Sequence, residues 1–197
     1  MKPRVWLAAI LVCLLQTGAI AALIVNRAML LTHGREIVLN VTPVDPRDLL
    51  RGDYVRLNYA VSQIPASLVQ ASGRQDTGRS IFVTLERQGQ PEDGRWVPVA
   101  ASQEPPAAPE AENKIVLHGT MNLPWASLAS DGVYRNAAAV HVKYGIESYF
   151  VPENTGSDLE QATRTGAVKA VISVDRDGNA AIKGLIVNGT RHDETLF

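Results

Sequence analysis

The chain has 197 residues, 46% apolar and 20% charged, with a formal net charge of −1. That is a globular composition rather than a disordered one, and the length suits one ordinary domain with an appendage. The first 35 residues hold Lys2, Arg4, Arg27 and Arg35 and no acid, so the remainder is mildly acidic; with no basic stripe, the balance argues against nucleic-acid binding.

The first element is apolar. Val5 to Val25 reads VWLAAILVCLLQTGAIAALIV, uncharged, with Gln16 and Thr17 the clearly polar members. As a helix it reaches about 31 Å at about 1.5 Å per residue, enough to cross a hydrocarbon core of about 30 Å. Lys2 and Arg4 ahead of it place residues 1–4 in the cytoplasm and the body outside. The expected location is therefore a membrane crossed once, with the body on the side away from the cytoplasm. A cleavable signal peptide is the rival, because Ala19-Ile20-Ala21 has the small-x-small pattern. The apolar run continues past that site through Leu23, Ile24 and Val25, which favours an uncleaved anchor over residues 5–25. Cys13 is the single cysteine, so neither an intramolecular disulfide nor a cysteine-based metal site can form.

From about residue 35 the dominant period is two. Ile37, Leu39 and Val41 share one face of a first strand. Tyr54–Val61 predicts a central strand with Val55, Leu57, Tyr59 and Val61 inward and Tyr54, Arg56 and Asn58 on the more polar face. Ser62–Ala71 holds a short turn with Pro65 near its start. Ser80–Arg87 puts Ile81, Val83 and Leu85 together; Lys114–Met121 and Ala138–Tyr144 are further strands. Between them, residues 100–113 are rich in Pro, Ala and Glu and predict a mobile loop. Ser157–Glu160 starts a short helix that runs to about Thr163, before Gly166. Ala167–Val174 and Ala180–Val187 flank Asp175–Asn179, a hairpin signal. The expected fold is all-β, an antiparallel sandwich or small barrel over residues 35–190, with one N-terminal transmembrane helix, one short helix in the body and a tail at 191–197.

The stretch Asp45–Ile64, DPRDLLRGDYVRLNYAVSQI, carries most of the local chemistry. Pro46 fixes a turn, Gly52 permits positive φ, and Asp53 can bond nearby backbone N–H groups. Gly52 and Asp53 then turn the chain into the strand, and Leu57 and Tyr59 build core.

Gly52-Asp53-Tyr54-Val55-Arg56-Leu57-Asn58-Tyr59 fills each fixed position of the pattern that names the GDYxxLxY family, and the chain resembles it there. Lys143–Glu160 and Ala170–Gly189 are similar to its later blocks. The resemblance covers roughly residues 35–190. It implies a membrane-anchored bacterial protein without an assigned activity, often encoded beside a multi-pass membrane protein.

Two readings of the motif compete. Arg47, Arg51, Asp53 and Tyr54, with Arg56, form a charged and aromatic lip for a small anion, a sugar or a protein partner. Tyr149, Phe150 and Glu153 would be a second wall. The plainer reading is a capped turn with surface ion pairs, each contributing under about 1 kcal/mol. No catalytic residue is assigned. A hydrolase needs a nucleophile beside a base. No G-x-S-x-G occurs, Lys143, Lys169 and Lys183 have no evident serine, and no serine stands shortly before Gly52. His33, His118, His141 and His192 are scattered singly, and His118 and His141 read as structural histidines within strands. No cofactor or metal is expected. The function this favours is an interaction or accessory subunit of a membrane assembly, joined to the membrane by residues 5–25 and partnered by a multi-pass protein. The alternative is a hydrolase or small-ligand-binding protein with its site near the GDYxxLxY motif.

Overall fold

The computed structural model describes residues 3–42, 54–70, 79–89, 94–106, 111–122, 139–150, 162–163 and 165–193. Helix α1 spans Pro3–His33, 31 residues, and within it Ile10–His33 is long and apolar enough to cross a membrane. The helix runs eight residues beyond the predicted span, because Asn26–His33 contains no glycine or proline to stop it. Its large side chains are exposed, Leu15 and Leu23 at 71% each, until Leu31 is buried where the body begins.

The body is built from strands β1 (Arg35–Thr42), β2 (Tyr54–Arg56), β3 (Asn58–Tyr59), β4 (Gln63–Pro65), β5 (Val69–Gln70), β6 (Ser80–Gln88), β7 (Arg95–Ser102), β8 (Lys114–Asn122), β9 (Ala139–Lys143), β10 (Ser148–Phe150), β11 (Val168–Val174), β12 (Ala180–Val187) and β13 (Thr190–Asp193). A five-stranded sheet has the order β13-β12-β11-β1-β3, and a six-stranded sheet has the order β4-β9-β8-β6-β7-β5. β2 and β10 form a separate ribbon. Pairing is antiparallel except between β5 and β7.

One apolar core joins both sheets. Ile37, Leu39 and Val41 of β1, with Ala170 and Ile172 of β11, enter it from the five-stranded side. Ile81, Val83 and Leu85 of β6, with Ile115, Leu117 and Met121 of β8, enter from the six-stranded side. The predicted alternation is thus the burial pattern, since period-two side chains leave every second residue for the core. Bulges adjust both sheets. One lies on β6–β7 between Thr84 and Leu85, beside Pro98, where a missing N–H is tolerated.

The β11–β12 hairpin forms as predicted. The Asp175 carboxylate accepts from the backbone N–H groups of Asp177 and Asn179 at 2.9 and 2.8 Å, and Gly178 takes φ +86°. The Gly178 carbonyl then accepts from the His118 N–H at 2.8 Å, so the hairpin tip docks on β8 of the other sheet. Arg35 adds a second tie between sheets, donating to the Lys114 and Glu112 carbonyls and lying 5.9 Å from the Trp96 ring centroid.

Three expectations are revised. Tyr54–Val61 is not one central strand: β2 and β3 are short pieces broken at Leu57, β3 lies at a sheet edge, and residues 60–62 form a 3-10 turn. Ala100–Ser102 of the predicted loop belongs to β7, because Phe82, Val83 and Thr84 provide paired backbone there. Arg191–Asp193 of the predicted tail belong to edge strand β13, reached through a tight turn at Asn188 (φ 51°) and Gly189 (φ +83°). On its outer face Arg191 and Lys183 converge on Glu36 and hold its carboxyl below the usual range, Lys183 through the stronger hydrogen bond. The short-helix prediction falls mainly outside the described residues. Ala162 and Thr163 are helical, and their carbonyls accept from the N–H groups of Ala167 and Gly166, a Schellman stop with Gly166 at φ +71°.

Candidate functional site: a clasp between two motif segments

Leu57 is where the GDYxxLxY segment changes partners. Before it, β2 pairs with β10 in the register Arg56↔Ser148, Val55↔Tyr149 and Tyr54↔Phe150. At Leu57 the backbone N–H donates to the Glu147 carbonyl at 2.9 Å. After it, Asn58 and Tyr59 pair with Thr42 and Val41 of β1. Leu57 itself is fully buried, which leaves this crossing no room to shift.

Two tyrosines lock the segments together. The Tyr59 hydroxyl donates to the Ile146 carbonyl at 2.8 Å, and the Tyr144 hydroxyl donates to the Val61 carbonyl at 2.7 Å. Each reaches from one segment to the backbone of the other, over more than eighty residues of chain. Glu147 shapes the turn between them: its carboxylate accepts from the N–H groups of Tyr144 at 2.6 Å and Gly145 at 3.0 Å, and Gly145 takes φ +80°. Burial, and secondarily the Glu147 carboxylate, push both phenols well above the usual tyrosine range. They stay neutral and act as donors. Replacing Tyr59 by phenylalanine leaves the Ile146 carbonyl without its partner in a buried site. The expected loss is about 1–3 kcal/mol in urea unfolding; a change below about 0.5 kcal/mol would show that the hydroxyl is dispensable.

Of the predicted site residues, Arg47, Arg51, Gly52, Asp53 and Glu153 lie outside the described residues. Tyr54 and Tyr149 lie on neighbouring strands of one ribbon, one register step apart. Tyr149 is half-buried against the core, and Arg56 is exposed. Leu57 and Tyr59 are core, as their spacing predicts. The clasp residues Tyr144 and Glu147 carried no assignment from sequence. The local part was accessible, since a glycine turn followed two residues later by an acid can cap its own N–H groups. The tyrosine–carbonyl bonds had no sequence signal.

Among the described residues no group of three His, Cys, Asp or Glu side chains is placed to hold a metal ion. The clasp's hydroxyls and the Glu147 carboxylate are engaged with backbone partners, and they hold the β3 segment to the turn that precedes β10.

No curated protein and no solved structure matches this chain. The family profile described as "GDYXXLXY protein" matches residues 16–185, which takes in the last part of the apolar helix, the motif, the clasp and the β11–β12 hairpin. The chain belongs to the GDYXXLXY protein family.

Proposed function

We propose that this protein is a membrane-anchored accessory subunit: α1 crosses the bacterial inner membrane with its N-terminus in the cytoplasm, and the β body engages a multi-pass membrane protein outside. The observation that carries the reading is the junction between helix and body. Only Gly34 separates the end of α1 at His33 from β1 at Arg35. The Ser173 hydroxyl, fully buried, donates to the Leu30 carbonyl at 2.6 Å, and the Gly34 N–H donates to the same oxygen at 3.1 Å. The body therefore has no free swivel on its anchor. A fixed height and azimuth suit a subunit that must meet a neighbour in the membrane. Gln16 supports the same reading. It sits near the middle of the apolar run, where a side-chain amide facing lipid is costly and a neighbouring helix can satisfy it.

The test is an insertion. Six Gly/Ser residues placed between Gly34 and Arg35 should release α1 from the body at a cost of about 1–3 kcal/mol, because the buried Ser173 hydroxyl loses the Leu30 carbonyl, while the loop itself adds little and the body stays folded. Affinity purification from solubilised membranes should recover a multi-pass protein in near-stoichiometric amount with the parent, and about tenfold less with the insertion. Equal recovery with both chains, or none with the parent, would sink the accessory reading.

A further inference from the structure

A second cluster lies away from the clasp, where β6, β8 and the β11–β12 turn converge. Ser80 and His118 stand diagonally across the β6–β8 pair, in a register that sets Ser80 against Thr120 and Phe82 against His118. Their inward neighbours Ile81 and Leu117 are core, so both point away from it. The Ser80 hydroxyl and His118 Nε2 are hydrogen-bonded. His118 Nδ1 lies 3.4 Å from Asn179 Oδ1, and Asn179 Nδ2 donates to Asp175 Oδ2 at 2.9 Å. Phe82 stacks on the imidazole, ring centroids 4.7 Å apart and planes 18° apart.

The proton positions follow from the far end of this chain. A carboxylate only accepts, so Asp175 turns the Asn179 NH2 toward itself and the Asn179 oxygen toward His118. That oxygen also only accepts, so Nδ1 of His118 carries the ring proton. Nε2 is left with its lone pair, and the Ser80 hydroxyl donates to it. A serine donating to an imidazole whose other nitrogen is oriented by a third group is the arrangement of an activated nucleophile. Beside the imidazole opens a cleft of about 570 Å3, lined by His118 and Asn179, by apolar Phe82, Pro105, Pro106 and Val116, and by the charged pair Arg176 and Asp177, with Ser80 outside that lining on the Nε2 side of the ring. The volume suits a small organic ligand.

We propose that Ser80 is an acyl-accepting nucleophile, with His118 as its base and Asn179 as the positioning residue, acting on esters with a short apolar acyl group. Ser80 Oγ attacks the ester carbonyl carbon while its proton passes to His118 Nε2. Arg176 is the cation on the cleft wall available to the charge that builds on the carbonyl oxygen. The bond to the alcohol oxygen breaks, His118 protonates the leaving alcohol, and Ser80 is left acylated. Water then attacks the acyl-serine, giving its proton to His118. The C–O bond to Ser80 breaks, that proton returns to Ser80, and the carboxylic acid departs. This proposal stands apart from the accessory reading and does not depend on it.

The test uses the full-length protein in detergent and a fluorophosphonate probe, with the labelled residue mapped by peptide mass spectrometry. In labelling, Ser80 Oγ bonds to phosphorus and fluoride leaves, His118 taking the proton. Ser80 should be the labelled residue, with a rate that rises with pH, as activation by a general base requires. His118→Gln should slow labelling about 100-fold or more, the usual contribution of a positioned base. Asn179→Leu, which removes the group that fixes the tautomer, should slow it less and move the pH profile. The pH profile of the unaltered protein is the reading that no folding defect can confuse. Labelling of Ser80 no faster than in the urea-unfolded chain, or a flat pH profile, would overturn the proposal and leave the cluster as a tie between hairpin and sheet.

Discussion

Leu57→Ala should lower the stability of the body by about 2–5 kcal/mol, the range for truncating a fully buried leucine. The side chain is 0% exposed, and its backbone N–H is bonded to Glu147, so neighbouring strands cannot easily move in to fill the space. The loss is large against a typical total of about 5–15 kcal/mol. Urea unfolding should show a shifted midpoint with an unchanged slope, meaning stability has changed without a change in the surface exposed. Val38→Ala is the control: that side chain is 39% exposed on the outer face of β1 and should cost under about 1 kcal/mol. Equal effects at the two positions would mean that the motif leucine does not hold the crossing from the β2–β10 ribbon to the five-stranded sheet. Because the two motif segments meet at this residue, Leu57→Ala should also loosen Tyr59 and Tyr144, whose hydroxyl bonds span the same contact.

Gly34→Ala is expected to have the second large effect, centred on the membrane end of the body. A Cβ at Gly34 would lie 2.2 Å from Ser173 Oγ and 2.5 Å from the Leu30 carbonyl oxygen. Serine can rotate away, but the carbonyl belongs to the helix backbone, so the helix end must shift. The cost should be about 1–3 kcal/mol, as for overpacking at a rigid site. Hydrogen exchange should accelerate at residues 28–35 and at Ser173 while the β6–β8 core keeps its protection. Adding Ser173→Ala should recover only part of the loss, because the Leu30 oxygen remains in the way. Full recovery would place the conflict in the side chain alone and would weaken the case for a rigid junction.

Both effects bear on how the β body is presented. The clasp ties the β3 segment to the Tyr144–Glu147 turn, and the Gly34 junction fixes the core to the helix. Between them they leave the body little freedom relative to α1, which is why the insertion after Gly34 is a sharper test of the accessory reading than any substitution in the motif.

The sequence by itself determined the apolar helix, the β character of the body and the hairpin at Asp175–Asn179. Each rests on a local cause: an uncharged run long enough to span a bilayer, side chains alternating at period two, and an acid and a glycine placed to close a turn. The burial of Ile37, Leu39, Val41, Leu57, Tyr59, Ile81, Val83 and Leu85 followed from the same alternation. Tertiary structure alone decided which strand meets which, because many apolar strands are equally good partners until the whole core is packed. It broke Tyr54–Val61 at Leu57 because β10 and β1 supply backbone partners on either side of it. It drew Arg191–Asp193 out of the tail because β12 offered an open edge. It also brought Ser80, His118 and Asn179 together from β6, β8 and the β11–β12 turn, the first pair 38 positions apart and the second 61. A histidine that looks solitary in the chain acquires neighbours only when sheet register and a hairpin tip carry them to it, and neither distance is encoded in the residues flanking it.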